Sequence, residues 1–153
     1  MLLCLSLFYM KYLVVALLCA GLSSSCTQQA NYKTEREEVM KFHDVLMEDN
    51  STLVNNGMKI DSLMKNLPAL KSAFKELDTL KEKEVMLAMV ARLNKAEELM
   101  NNWMHTFEPD ITGKTNEQAI TYFKAERIKI GKIDSLYKQE IKSSTDYLLK
   151  FRR

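Results

Sequence analysis

At 153 residues the chain suits a single domain. It is 46% hydrophobic and 27% charged, with a formal net charge of +2, 4 glycines and 2 prolines. Alternating apolar runs are scarce, so a β-sandwich, a Rossmann unit and a disordered tail are all disfavoured, and the charge gives no prior for nucleic acid.

Residues Met1 to Leu22 are almost wholly apolar, with Lys11 the only charge. A lysine in the middle of a membrane helix costs about 2.5–3.5 kcal/mol, which argues against a span read from Met1. Read from Met10, the same stretch is a leader. Met10-Lys11-Tyr12 is a short basic head, Leu13 to Leu22 is an apolar core too short for a bilayer, and Ser23-Ser24-Ser25-Cys26 is a small-residue processing site. The sequence therefore predicts a signal peptide over residues 1–25, with translation starting at Met10. The competing reading is a membrane anchor starting at Met1.

All three cysteines (Cys4, Cys19 and Cys26) lie at or before that site. Processing leaves Cys26 alone at the new N-terminus, so no disulfide can form within the mature chain. An exported protein with one cysteine in first position resembles a bacterial lipoprotein, in which the thiol is acylated. Several acyl chains anchor lastingly where one binds only marginally. The box Leu22-Ser23-Ser24-Ser25-Cys26 departs from the strict pattern, because Ser23 stands where leucine is preferred. Relaxed, serine-rich boxes of this kind resemble those of Bacteroidota lipoproteins. Ordinary signal-peptidase cleavage after Ser25 is the alternative. Thr27 to Asn31 then reads as a short polar tether, with the bundle domain over residues 32–153.

The first helix is predicted over residues 33–66, about 50 Å at 1.5 Å per residue. Tyr32, Val39, Leu46, Leu53, Ile60 and Leu67 repeat every seventh residue, with Phe42 and Leu63 as companions. Asn55-Asn56-Gly57 is a turn signal inside this stripe, which runs unbroken across it. Pro68 ends the helix. A short helix is expected around residues 69–77, followed by a cap at Asp78-Thr79. Met86, Met89, Leu93, Ala96, Met100, Trp103 and Phe107 form a second helical seam, closed by Pro109. The third long helix opens at a Thr115/Gln118 capping box. Its apolar line is Ala119, Phe123, Ile130, Ile133, Tyr137, Ile141, Leu148 and Phe151, interrupted by Glu126 and Ser144, which predicts less uniform burial. Short connections make sequential helices antiparallel neighbours. The expected fold is all-α: an antiparallel up-down-up bundle of three long helices with a short fourth.

Charge divides unevenly. Residues 31–67 and 68–113 are each net −2, and residues 114–153 are net +5. Either the basic last helix lies against two acidic ones, or it offers a basic surface to anionic envelope lipid or polymer.

Little catalytic chemistry survives inspection. Gly113-Lys114-Thr115 resembles the end of a phosphate-binding loop, but Glu108 stands where its first glycine belongs, and a helix precedes it where a strand is required. The two histidines, His43 and His105, are 62 residues apart. No serine lies in a nucleophile motif, so the chain reads as non-enzymatic. The repeat of Lys59-Ile60-Asp61-Ser62-Leu63 as Lys132-Ile133-Asp134-Ser135-Leu136 reads as similar helix faces recruiting similar residues. Met40, His43 and Met47 share one side of the first helix, and thioether with imidazole suits Cu(I) or haem. Against that, methionine is a common gap-filler of helical cores.

The segment from Leu99 to Asp110, with its Trp-Met-His-x-Phe-x-Pro signature, resembles a family of small Bacteroidota lipoproteins. Many of these carry the label "viral A-type inclusion protein". The resemblance spans the leader, the heptad-rich chain and this signature. It carries no established activity and transfers no functional residue. Read physically, Trp103 and Phe107 bury large rings at the helix end and Pro109 stops the helix, with His105 facing outward. The loop from Glu108 to Lys114 is a candidate recognition surface.

The resulting expectation is a lipid-anchored helical module of the cell envelope that uses no cofactor. It would be held in the outer membrane through Cys26 and face the periplasm, where it contacts an envelope protein or acts as a spacer. The alternative is a periplasm-facing copper or haem binder.

Overall fold

The computed structural model describes residues 31–152. Four helices run in order: α1 (Tyr32–Lys65), α2 (Leu67–Ala73), α3 (Thr79–Thr106) and α4 (Asn116–Leu149). The three long ones pack on one another as an all-α bundle. None of the described helices is long and apolar enough to cross a membrane.

Each of the three long helices begins where its capping chemistry lies. The Asn31 side chain accepts from the Lys33 amide at 3.0 Å, and Asp78 accepts from the amides of Leu80 and Lys81. The capping box at Thr115 and Gln118 is complete in both directions. These contacts satisfy amides that the first helical turn leaves without partners.

Pro68 acts differently from expectation. Helix α1 stops at Lys65, and the proline then sits in the first turn of α2, where its missing N–H costs nothing. The short helix is therefore Leu67–Ala73, not residues 69–77. The Lys71 ammonium donates to the carbonyls of Lys75 and Leu77 and ties down the turn that follows.

Helix α1 is continuous through Asn55-Asn56-Gly57. Its seventh-residue line, Val39, Leu46, Leu53 and Ile60, is buried, and Asn56 is buried beside it. The turn signal fails because Asn56 finds partners across the bundle: its amide donates to Ser144 Oγ and Thr145 Oγ1, each at 2.9 Å.

Cross-helix contacts fix the topology. Glu35 meets Arg127, Phe42 lies over Gly131, the Tyr137 hydroxyl donates to Asn50, and Asn56 meets Ser144. Residue numbers rise together along both helices, so α1 and α4 run parallel. Tyr147 with Glu82, Arg92 with Glu140 and Trp103 with Glu126 show α3 running against α4. The arrangement is up-down-up.

The expectation that Glu126 and Ser144 weaken the burial of α4 is overturned. Both are buried, as are Asp134 and Glu140. Glu126 and Glu140 each meet a donor from α3, and Ser144 meets Asn56 of α1. Charge attraction between α1 and α4 is local: Lys124 and Arg127 face Glu35, whereas Lys129, Lys138 and Lys142 pair with carboxylates on α4 itself. The two echo segments sit at different heights in the parallel pair, since Asn56, close to the first, lies opposite Ser144, well past the second.

Candidate functional site

The Trp-Met-His-x-Phe-x-Pro signature builds one end of the bundle. Trp103 is buried at 4% exposure on the α3 seam. Its ring stacks on Phe107, with centroids 4.7 Å apart, and Phe107 continues to Tyr122 and Phe123 of α4. Tyr32 of α1 stacks on Phe123 in turn, so all three long helices contribute rings. Such offset contacts add about 0.5–1.5 kcal/mol each beyond burial.

A buried indole N–H needs an acceptor. Trp103 Nε1 donates to Glu126 Oε2 at 2.9 Å, and Lys129 Nζ donates to Glu126 Oε1 at 2.7 Å. The carboxylate that interrupts the apolar line of α4 is thus shared between an indole inside and an ammonium at the surface.

Pro109 forces Glu108 out of the helical region, and α3 accordingly stops at Thr106, with Phe107 extended. The Glu108 amide donates to the Tyr122 hydroxyl oxygen at 2.8 Å. Burial pushes the Tyr122 phenol above its ordinary pKa, an effect partly offset by that amide. Within the loop, Asp110 Oδ1 accepts from both the amide and the hydroxyl of Thr112, which holds its carboxyl below the usual range. Gly113 closes the loop at φ +84°, a conformation that favours glycine. The loop is exposed except at Ile111, but its polar side chains largely bond to the loop itself.

Beside Trp103, α3 and α4 part to leave a groove of about 520 Å³. Trp103 and Ile133 form its floor and Leu99 and Leu136 its walls, with Asn102, Thr106, Lys129 and Lys132 on the rim. The lining is mainly apolar, with the cations on one side. The sequence reading missed this groove. Its traceable signal is Glu126, a lone carboxylate in an apolar stripe, because such a group needs a buried donor across the seam and only Trp103 offers one there.

The remaining sequence candidates have different surroundings. His43 lies over Trp103, with centroids 6.3 Å apart, and its Nδ1 is 3.0 Å from Asp44 Oδ1. Met40 lines a separate surface hollow with Arg36, Glu37 and Asp44, and Met47 is 40% exposed. That hollow is not lined by His43 or Met47, and among the described residues no three His, Cys, Asp or Glu side chains are grouped as metal ligands. His105 is exposed at the end of α3. The leader and Cys26 lie outside the described residues. Comparison with family models, with curated proteins and with solved structures returned no match for this chain, so its candidate site is argued from its own residues.

Proposed function

We propose that the protein is a lipid-anchored, non-enzymatic helical module of the cell envelope, held in the outer membrane through Cys26 and facing the periplasm. It works by contact with an envelope protein or as a spacer.

One observation carries the non-enzymatic reading. The buried polar side chains of the described residues are engaged mainly in structural pairing: Glu126 with Trp103 and Lys129, Glu140 with Arg92, Asn56 with Ser144 and Thr145, and Asp134 with Lys138. A general acid or base needs a free proton site within reach of a substrate; Glu126, Glu140 and Asn56 bond across seams between helices, and the unpartnered Oδ1 of Asp134 is buried. The anchoring reading rests on the leader and on Cys26, five residues before the Asn31 cap of α1.

The test is metabolic labelling with palmitate. Wild-type protein is expected to incorporate the label and sediment with membranes, and Cys26→Ser to lose the label and leave the membrane fraction. Wild-type protein that never takes up palmitate refutes the anchor. Protease shaving of intact cells is expected to spare the protein; its removal refutes the periplasmic orientation.

A further inference from the structure

We propose that the groove between α3 and α4 binds a single-chain anionic amphiphile, a free fatty acid, with its carboxylate at Lys132 and its chain over Trp103. The proposal goes beyond the anchoring reading and does not depend on acylation of Cys26.

The groove has the features of a small-ligand site. Its volume of about 520 Å³ falls within the range of about 300–1,000 Å³ common to such sites, which are apolar inside with a few polar groups that fix orientation. Here the charged groups, Lys129 and Lys132, share one sign. Lys129 already serves Glu126, while Lys132 is exposed and has no ion-pair or hydrogen-bond partner among the described residues. An unpaired ammonium beside an apolar cleft complements a carboxylate attached to a hydrocarbon chain.

The antiparallel run of the two helices gives the cleft a direction. Asn102, Thr106 and Lys129 lie toward the loop end, and Leu99, Ile133 and Leu136 lie toward the bundle centre. Further along, Arg92 of α3 reaches across to Glu140 of α4 at 2.9 Å. The lined cleft spans the two turns or so between residues 99 and 106, about 10 Å, and that ion pair bridges the same line about two turns beyond Leu99. A thin, flexible chain with one charged end fits a short cleft bridged beyond its far end better than the side of a partner helix does.

Trp103 is the only tryptophan in the chain and lies on the groove floor, so its emission reports occupancy. The full-length chain, carried in phosphatidylcholine nanodiscs, is titrated with a terminally brominated octanoate, whose chain matches a cleft of that length and whose bromine quenches tryptophan on contact. The expected result is saturable quenching. Lys132→Glu, a surface change that leaves the core intact, is expected to raise the half-quenching concentration about tenfold or more, as loss of a charged hydrogen bond would. Leu136→Asp is expected to abolish quenching, and Lys83→Glu on the exposed side of α3 to change nothing. The proposal is overturned by no quenching, which would leave the groove to a partner protein's helix. It is equally overturned by quenching that rises without saturation as the bilayer fills, or by a saturable signal that Lys132→Glu leaves in place or Lys83→Glu moves equally.

Discussion

Helices α1 and α4 each have 34 residues and lie side by side in parallel, yet they bury different chemistry. The buried line of α1 is aliphatic apart from Asn56, whereas α4 buries Glu126, Asp134, Glu140 and Ser144 among its apolar residues. Each long helix packs on the other two, and the seam between α1 and α4 is the most extensive. The difference lies in the partners that the polar groups of α4 find across those seams. Donors reach α4 from α3 (the indole of Trp103 and the guanidinium of Arg92) and from α1 through Asn56. Apolar burial stabilises the bundle without direction, while paired polar groups hold each helix at one height against its neighbour, a registry role well attested for buried asparagine in coiled coils.

The largest expected effect is at the seam where the two chemistries meet. Trp103→Ala removes a buried ring and strips Glu126 of its indole donor. A loss of about 3–5 kcal/mol is expected by chemical denaturation, from transfer energy plus cavity. His105→Ala, two residues away on the exposed face, is expected to stay within about 0.5 kcal/mol. Equal effects would mean that the signature does not pack as described.

Alkaline pH separates the helices in another way. Burial pushes the Tyr137 phenol up to about 12 and raises Tyr147 further, the latter helped by its hydrogen bond to Glu82. The folded state therefore holds these protons more tightly than the unfolded chain. Their contribution is fully present below about pH 10, the ordinary tyrosine pKa, and is lost as pH rises from there through the folded values. Stability is expected to fall steeply above about pH 10, and Tyr147→Phe to flatten that fall. An unchanged profile in Tyr147→Phe would show that its hydroxyl is not buried against Glu82.

The smallest effect tests the continuity of α1. A methyl group at Gly57 would meet Leu93 Cδ1 at 3.9 Å, an ordinary contact. In a helix interior, Gly57→Ala is expected to raise stability by about 0.5–1 kcal/mol. Gly113→Ala, at φ +84°, is expected to lower it instead. A destabilised Gly57→Ala would place a break where the helix is continuous.

These comparisons also show what was legible in the sequence. The seventh-residue stripe of α1 and the seam from Met86 to Trp103 could be read because apolar periodicity depends only on the helix's own geometry. The caps at Asp78 and Thr115 were legible for the same reason, as local hydrogen bonds. The roles of Asn56, Glu126 and Ser144 were not, because a polar residue in a stripe signals a turn or an exposed face unless its partner is known. Their partners lie 88 residues away for Asn56 and Ser144 and 23 for Glu126. Pro68 was read as a terminator alone, since its place in the first turn of α2 follows from the chain's reversal there. The groove beside Trp103 arises from how α3 and α4 diverge, which no pattern within either helix records.

The central claim is that Glu126, Glu140 and Ser144 of α4 are structural partners of the neighbouring helices. A double-mutant cycle across Trp103 and Glu126 tests it most directly: Trp103→Phe removes the indole donor while keeping an aromatic ring, and Glu126→Leu removes the acceptor. The account predicts that the two changes are non-additive, with a coupling of about 1.5–3 kcal/mol, the range for a hydrogen bond to a charged group. Additivity within about 0.3–0.5 kcal/mol, the behaviour of independent sites, would contradict it.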